Sequence, residues 1–309
     1  MFEGKVALVT GGARGVGFAV AQELARYGAK VVILDPGSAK DGSTERDDAA
    51  ADAARTIIAN GGTAHGIAAS VVDFEACGKA VQTCVDMYGS LDILVNNAGI
   101  LRAKMLWNMP EADWDIVVGV HLKGAFNMIH HASGVMRQNR RGRIISMGSE
   151  AWRGTVGQAN YGAAKGGIFS LTRAAARELG RYGITANTLC PAAATRLTLD
   201  EAVKQGFQKR LAAGLITQQR YDEVINMGGP EHIAPFVCYL AGDDAAHING
   251  QAFRVEQGKI AIYNDPEMKA TLMTTGTDPF TMDELRNMVP KALLQGYSNP
   301  APPEPGENK

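Results

Sequence analysis

A serine, a tyrosine and a lysine lie close together in the segment Ser149–Lys165. Tyr161 and Lys165 are four residues apart in a run with apolar residues at helical spacing, so on a helix they share one face. A free phenol has a pKa near ~10 and is a poor base, but a neighbouring ammonium favours phenolate. Ser149 could hydrogen-bond the reacting oxygen. The combination predicts proton transfer to or from an alcohol oxygen; an ordinary amphipathic helix with an exposed lysine is the alternative.

The glycine-rich stretch TGGARGVG is a second candidate functional motif, and it contains Gly11, Gly15 and Gly17. It follows a short apolar run and precedes an apolar-periodic helix that continues to Tyr27. Backbone amides at a helix N-terminus attract a pyrophosphate, and glycines let the backbone approach it. The context predicts nucleotide binding, and a tight strand–helix turn without a ligand is the alternative.

Asp35 and Arg14 indicate whether the dinucleotide is NAD or NADP. A carboxylate at the end of the second strand can accept hydrogen bonds from the adenosine ribose hydroxyls. A 2′-phosphate there would meet like charge, at a cost on the order of 4 kcal/mol for charges about 4 Å apart near a protein surface. Arg14 could pair with that phosphate but can also swing to solvent. We therefore expect NAD, with NADP less favoured.

Apolar runs that do not alternate recur between helix-patterned segments, as expected of parallel strands buried on both faces. The predicted strands are Lys5–Thr10, Lys30–Asp35, Thr63–Val72, Leu91–Asn96, Gly142–Met147, Ile184–Cys190 and Gln251–Val255. Besides the helix that ends near Tyr27, the predicted helices are Ala49–Asn60, Phe74–Tyr88, Glu111–Met136, Asn160–Tyr182 and Glu231–Leu240. This alternation predicts an α/β fold, a doubly wound parallel sheet with helices on both faces.

Two regions depart from the alternation. Residues 195–228 form a polar, helix-prone insertion that we interpret as a lid over the substrate, with a plain surface insertion as the alternative. Residues 1–258 would form one dehydrogenase-sized domain and 259–309 a C-terminal extension. Within the extension, Thr281–Leu294 predicts a short helix with Thr281 as its N-cap. The last stretch, SNPAPPEPGENK, has the composition of a disordered segment.

Composition excludes several classes of function. The net charge of −1 gives no strong attraction to nucleic acid or an anionic membrane. The four scattered cysteines indicate reduced core thiols, and no apolar run reaches the ~18 residues of a membrane span. Adjacent His130 and His131 face apart on a helix, so no metal site is expected. A soluble cytoplasmic protein follows.

Taken in order, TGGARGVG, the NNAG of Asn96–Gly99 and the set Ser149, Tyr161 and Lys165 resemble the short-chain dehydrogenases/reductases over about residues 4–258. The resemblance implies a Rossmann-type domain of seven parallel strands in the order 3-2-1-4-5-6-7, in a homodimer or homotetramer. It also implies hydride transfer between a nicotinamide and a carbon–oxygen centre of a small-molecule alcohol or ketone.

The resemblance further implies roles for individual residues. Tyr161 would be the acid/base, Lys165 would bind the nicotinamide ribose and lower the pKa of Tyr161, and Ser149 would hold the substrate oxygen. The residues implied to bind the cofactor are Gly11, Arg14, Gly15, Val16, Gly17, Asp35, Ser70, Val71, Asn97, Ala98, Gly99, Tyr161, Lys165, Pro191 and Thr195.

The sequence departs from the family pattern in four places. The spacing from Ser149 to Tyr161 is one residue shorter than the commoner one, and Ser70 and the pair Pro191-Ala192 replace an Asp and a Pro-Gly. His121 stands where a helix asparagine usually completes a catalytic tetrad. It could bridge a water toward Lys165 and relay the tyrosine's proton; a core histidine that only shapes the helix is the alternative. We assign His121 to the catalytic set.

Three further stretches, VHLKGAF, GQANY and PAAATRLT, resemble a branch of this family, the (3R)-hydroxyacyl-CoA dehydrogenases of peroxisomal multifunctional β-oxidation enzymes and their actinobacterial relatives. The expected substrate is therefore a (3R)-hydroxyacyl-CoA thioester. A hydroxysteroid or small-ketone dehydrogenase is one alternative, and a non-catalytic nucleotide-binding sensor on the same fold is another.

Overall fold

The computed structural model describes residues 1–43, 48–195, 198–199, 201–274, 276–297 and 300. Within these residues eight strands form one sheet in the order β3-β2-β1-β4-β5-β6-β7-β8. The strands are β1 Val6–Thr10, β2 Lys30–Leu34, β3 Thr63–Ile67, β4 Ile93–Asn96, β5 Gly142–Met147, β6 Ile184–Ala192, β7 Ala252–Glu256 and β8 Lys259–Ile262. The first seven are parallel, and β8 runs antiparallel to β7. The predicted doubly wound sheet and the order of its first seven strands are confirmed.

Helices pack on both faces of this sheet. The helices before residue 264 are α1 Gly15–Arg26, α2 Ala49–Ala59, α3 Phe74–Tyr88, α4 Glu111–Val118, α5 Gly124–Asn139, α6 Ala159–Leu179, α7 Glu201–Ala212, α8 Gln218–Ile225 and α9 Ala234–Ala241. A further helix, α10 Met282–Met288, belongs to a separate C-terminal unit. One apolar cluster joins the sheet to α1, α2 and α9, through residues such as Leu24, Ile57 and Val237. A second cluster joins the other face to α3, α5 and α6, through Val81, Met128 and Leu179. The central strand β1 is fully buried between them, which is why its sequence is apolar without alternation.

The prediction of seven strands was wrong by one, because β8 was missed. Glu256 and Lys259 pair across a tight turn in which Gly258 adopts φ +69°. A turn this short can join only antiparallel strands. All four residues of β8 are exposed, so no burial pattern marks it in the sequence. By its internal contacts the chain divides into two compact units, Met1–Tyr263 and a second that begins at Asn264.

The predicted helix Glu111–Met136 is continuous in the structure but not uniform. Between α4 and α5 the residues Gly119–Lys123 form a π-helical turn that contains His121. Such turns are rare, and they occur often at functional sites. Here the wide turn places His121 against the segment that follows β4, as described below.

The insertion after β6 contains α7 and α8, and the side chain of Thr217 caps α8 by accepting a hydrogen bond from the amide of Arg220. In the second unit, Thr281 and Glu284 form a capping box at the start of α10, which confirms the predicted N-cap. Apart from residue 300, the stretch predicted to be disordered lies outside the described residues. None of the described helices combines the length and apolarity that a membrane span requires.

Candidate active site

The glycine loop and the two other motifs follow β1, β4 and β5, which are neighbours in the sheet. The carboxyl ends of parallel strands lie at one edge, so the three motifs meet there. The order of strands reverses between β1 and β4, and open α/β sheets bind ligands in the crevice at that switch point. The arrangement of the strands therefore places all three motifs around one crevice.

Two glycines of the loop are required by close packing. Gly11 has φ +60°, and a Cβ there would lie 2.8 Å from the Cα of Ala98. A Cβ on Gly17 would lie 2.3 Å from the carbonyl oxygen of Gly11 and 2.4 Å from the Nδ2 of Asn97. Since either side chain would collide with backbone or with a fixed amide, only glycine fits at these two positions.

The N-terminus of α1 has the properties of an anion site. Arg14 is its N-cap in an extended conformation, and within the described chain no side chain caps this helix and no acidic residue lies in its first turn. No residue of the helix's own first turn therefore compensates its partial positive charge, which suits a pyrophosphate. Gly15 has φ +56°, and a Cβ there would lie 3.6 Å from the side chain of Thr195, while Val16 packs on the core. The residues present thus fit a dinucleotide cofactor.

Asp35 follows β2 and faces the glycine loop. Its Oδ2 accepts a hydrogen bond from the amide of Ala13 at 3.1 Å, and its Oδ1 accepts one from the amide of Gly37 at 2.8 Å. The carboxylate therefore links the glycine loop to the segment that follows β2, while its remaining lone pairs can accept further hydrogen bonds. This is the position in which the sequence predicted contact with the ribose.

Asn97 braces the glycine loop. Its Nδ2 donates to the carbonyl oxygens of Thr10 and Gly11 at 3.0 and 2.9 Å. The amides of Asn97 and Ala98 both donate to the hydroxyl of Thr10 at 3.0 Å. Thr10 was missed by the sequence reasoning, although a threonine at the last position of an apolar strand before the glycines was a usable signal.

Val71 is held by another residue that the sequence reasoning missed. The buried Asn127 donates from Nδ2 to the carbonyl oxygen of Val71 at 2.8 Å. A Cβ on Gly124 would lie 2.6 Å from Val71, so α5 packs directly on it. Ser70 accepts a weak hydrogen bond from the amide of Val72, and Pro191 lies on β6 beside Val255.

Ser149, Tyr161 and Lys165 are brought together in the structure. Ser149 begins the short 3-10 turn Glu150–Arg153, and its Oγ accepts a hydrogen bond from the amide of Ala151 at 3.2 Å. The hydroxyl of Ser149 also lies near enough to the Tyr161 phenol to lower its pKa. The Nζ of Lys165 lies 5.5 Å from the centre of the Tyr161 ring. A serine, a phenol and an ammonium therefore share one site, as the spacing indicated.

Burial dominates the electrostatics of the site. It raises the pKa of Tyr161, and the nearby Ser149 hydroxyl opposes this shift. Lys165 lies over the ring of Tyr161, and its Nζ donates to the carbonyl oxygen of Met147 at 2.6 Å. Burial lowers the pKa of Lys165 to about 8. That Lys165 lowers the pKa of Tyr161 stays a prediction.

His121 is buried beside the tyrosine, with the two ring centres 5.0 Å apart in an edge-on arrangement. Its Nε2 lies 2.8 Å from the carbonyl oxygen of Ile100 and 3.1 Å from the amide nitrogen of the same residue, so it donates to the first or accepts from the second according to the tautomer. Its Nδ1 has no hydrogen-bond partner among the described residues. Burial, and then the charge of Lys165, lower the pKa of His121 to about 3. The imidazole is therefore neutral near pH 7.

A small cavity lies between His121 and Lys165 and is also lined by Asn96. The Oδ1 of Asn96, like the Nδ1 of His121, has no hydrogen-bond partner in the described part of the chain. These two unpaired polar atoms and the ammonium of Lys165 around one cavity provide the polar contacts that hold a buried water. A neutral His121 can therefore hydrogen-bond such a water without taking up a proton.

A glycine-rich cradle at the switch point of a doubly wound sheet, with Ser149, Tyr161 and Lys165 beside it, defines a nicotinamide-dependent oxidoreductase. The model of the short chain dehydrogenase family matches residues 5–205, and the chain belongs to this family. It is therefore an oxidoreductase that acts on CH–OH groups and uses NAD(P). The family resemblance inferred from the motifs is confirmed.

Individual relatives show which members of the family the chain is similar to. The chain is 40% identical over 286 residues to the hydroxyacyl-CoA dehydrogenase ChsB1 of Mycobacterium tuberculosis, covering 89% of this chain and 84% of the relative. It is 38% identical to the peroxisomal multifunctional enzyme A of Dictyostelium discoideum, over 84% of this chain and 54% of that protein. The crystal structure of a short chain dehydrogenase from Mycobacterium avium superimposes with a TM-score of 0.79 at 34% identity, covering 97% of this chain and 98% of the other.

Proposed function

We propose that this protein is an NAD-dependent dehydrogenase of (3R)-hydroxyacyl-CoA thioesters. The observation that carries the proposal is the convergence of Ser149, Tyr161 and Lys165 beside the glycine loop. The similarity to a hydroxyacyl-CoA dehydrogenase and to a peroxisomal multifunctional enzyme supports the choice of substrate.

In the proposed reaction the substrate hydroxyl lies between Ser149 and Tyr161. The Tyr161 phenolate takes the hydroxyl proton, while Ser149 holds the same oxygen as it becomes a carbonyl. Bound NAD supplies the acceptor for the hydride that leaves the carbinol carbon. Lys165 lies behind the ring of Tyr161, where its ammonium can hold the nicotinamide ribose. In the reverse direction Tyr161 returns its proton to the oxygen.

The preference for NAD over NADP rests on Asp35. Its carboxylate is fixed by hydrogen bonds from the amide of Ala13 in the glycine loop and from that of Gly37 after β2, so moving away from an added phosphate would break both bonds. A phosphate about 4 Å from this charge would cost on the order of 4 kcal/mol. The cofactor set named from the sequence, from Gly11 to Thr195, is proposed to line this crevice.

Exposed apolar side chains near the site support an acyl substrate. Leu106, Trp107 and Val156 are 67%, 76% and 68% exposed. The segments that carry them touch, because Lys104 pairs with Gln158 through a backbone bridge. Apolar groups concentrated on the surface in this way are typical of ligand or partner sites.

The remaining expectations extend the proposal. Residues 1–258 would form the dehydrogenase domain, 195–228 a substrate lid and 259–309 an extension. A homodimer or homotetramer in the cytoplasm, without nucleic acid or membrane partners, is the expected assembly. His121 is proposed as a supporting member of the catalytic set.

The test is the absorbance of reduced nicotinamide with a panel of alcohols. We expect turnover with (3R)-hydroxybutyryl-CoA and NAD, and little with the (3S) epimer. Higher kcat/KM for free hydroxysteroids or small secondary alcohols would favour the alternative dehydrogenase. No reaction with any alcohol, while NADH still binds, would favour a nucleotide sensor.

A further inference from the structure

Asn160 directly precedes Tyr161, is fully buried and uses both ends of its amide. The Nδ2 donates to the carbonyl oxygen of Arg102 at 3.1 Å and to that of Asp113 at 2.9 Å. The Oδ1 accepts a hydrogen bond from the amide of Tyr161 at 2.8 Å. A single side chain thus links the backbone of Tyr161 to a segment far away in sequence.

The hydrogen bonds of Asn160 lie at the N-terminus of α6. The first amides of a helix have no partner inside the helix. Gln158, the N-cap of α6, makes no side-chain cap hydrogen bond within the described part of the chain. Asn160 satisfies one of these amides, and that amide belongs to Tyr161.

The other end of the link is itself fixed. The carboxylate of Asp113 is largely buried and forms ion pairs with Arg102 and Lys104, each at 2.9 Å. Hydrogen bonds from Lys104, and then from Arg102, lower the pKa of Asp113. The Nε of Arg102 also donates to the carbonyl oxygen of Asp41 at 2.7 Å. The two carbonyl groups that Asn160 reaches therefore belong to a cross-linked and charged anchor.

We infer that Asn160 is a positioning residue that sets the place of the Tyr161 phenol by tying the start of α6 to the Arg102–Asp113 anchor. This inference rests on the proposed role of Tyr161 as the acid/base. A phenol that must lie within hydrogen-bond reach of both Ser149 and the substrate tolerates little displacement, since about 1 Å can cost ~100-fold in rate.

The chain provides a matched control in Asn187, which is also buried. Its Nδ2 donates to the carbonyl oxygen of Ile248 at 2.8 Å, and its Oδ1 accepts from the amide of Gln251 at 3.0 Å. It makes the same kind of hydrogen bonds between β6 and the segment before β7, and none of its side-chain hydrogen bonds in the described part of the chain goes to Ser149, Tyr161 or Lys165. Asn187→Ala therefore measures the cost of losing such a link without moving the phenol.

The experiment compares Asn160→Ala, Asn160→Asp and Asn187→Ala in the (3R)-hydroxybutyryl-CoA assay, with NADH affinity from fluorescence and melting temperature recorded for each. We expect Asn160→Ala to lower kcat by about 10- to 100-fold with NADH affinity within about twofold. Asn160→Asp keeps the acceptor for the Tyr161 amide and should recover part of the loss. Asn187→Ala should lower the melting temperature comparably and leave kcat within about twofold.

A kcat loss that is equal in Asn160→Ala and Asn187→Ala, or absent from both, overturns the inference. If wild-type protein oxidises no alcohol, the proposed function fails and a second measurement decides. The ionisation of Tyr161 is then followed by phenolate absorbance, as the difference between proteins with Tyr161 and with Tyr161→Phe. A shift of at least ~0.5 pKa unit in Asn160→Ala supports positioning, and an unchanged value overturns it.

Discussion

Gly99 leaves no room for a side chain beside His121, because a Cβ at residue 99 would lie 2.5 Å from the Cε1 of the imidazole. The glycine of the NNAG motif and the histidine of the π-helical turn therefore depend on each other. Either this turn must open or Gly99 must move before a larger residue fits.

We expect Gly99→Ala to lower the free energy of unfolding by about 1–3 kcal/mol, the usual cost of overpacking. Gly134→Ala is the control, since a Cβ at that helical position meets no atom within 4 Å. It should be neutral or stabilising by up to ~1 kcal/mol. Urea unfolding of both variants measures the difference, and equal effects would show that His121 does not confine residue 99.

Ser149→Ala should shift the pH dependence of alcohol oxidation upward. Ser149 lowers the pKa of Tyr161, whereas burial raises it, so removal of the hydroxyl leaves the raising effect unopposed. The alkaline rise of kcat/KM should then begin at higher pH, and kcat at neutral pH should fall about 100-fold. An unshifted profile in Ser149→Ala would remove the assigned role of Ser149.

In Tyr161→Phe the loss of kcat should reach about 10²- to 10⁴-fold while NADH still binds.

His121→Asn should make the protein less sensitive to acid. The pKa of His121 is lowered from 6.5 to about 3 in the folded state, so between these values the unfolded chain binds a proton that the folded chain does not. His121 therefore makes the free energy of unfolding rise with pH across that window, and its stabilising contribution is lost as the pH falls. From about pH 6.5 to pH 5 the wild type should lose about 2 kcal/mol more than the variant in urea unfolding. Parallel curves would contradict the buried neutral imidazole. Wild-type kcat in His121→Ala, which removes the imidazole without supplying the asparagine usual in the family, would exclude a catalytic role for His121.

Asp35→Asn should relax the choice of cofactor. Without the carboxylate charge, a 2′-phosphate no longer meets repulsion, so the ratio of kcat/KM for NADP to that for NAD should rise about 10- to 100-fold. Use of NAD should also weaken, because one acceptor for the amides of Ala13 and Gly37 is lost. Asp86→Asn, on the exposed side of α3, should leave the ratio unchanged. No change in the ratio for Asp35→Asn would assign cofactor preference to other residues.

The parallel part of the sheet could be predicted because its strands are buried on both faces. The run Lys5–Thr10 became β1 with a difference of one residue, since a short apolar run without alternation, placed before glycines, is typical of a strand buried on both faces. Ser149, Tyr161 and Lys165 were identifiable because the spacing of two of them is helical and local. By contrast, Thr63–Val72 was predicted too long, because the strand ends at Ile67 and the chain then turns to bring Val71 against α5.

Features that depend on distant contacts could not be predicted. The exposed β8 carries no apolar alternation, and only its pairing with β7 makes it a strand. Asn127 and Asn160 act through carbonyl groups far away in the sequence. The π-helical turn at His121 depends in the same way on a contact with Ile100. Polar residues of this kind have the same local sequence signal whether they are bracing groups or ordinary helix positions.

The π-helical turn Gly119–Lys123 also determines which way the side chains of the following helix α5 face. Each residue of a regular α-helix turns the chain by about 100°, so deleting a single residue from the wide turn would rotate α5 by roughly that angle about its axis. Asn127 would then swing away from the carbonyl of Val71 and Gly124 from its side chain. The extra residue of the wide turn therefore keeps the side chains of α4 and α5 facing different sides of the crevice.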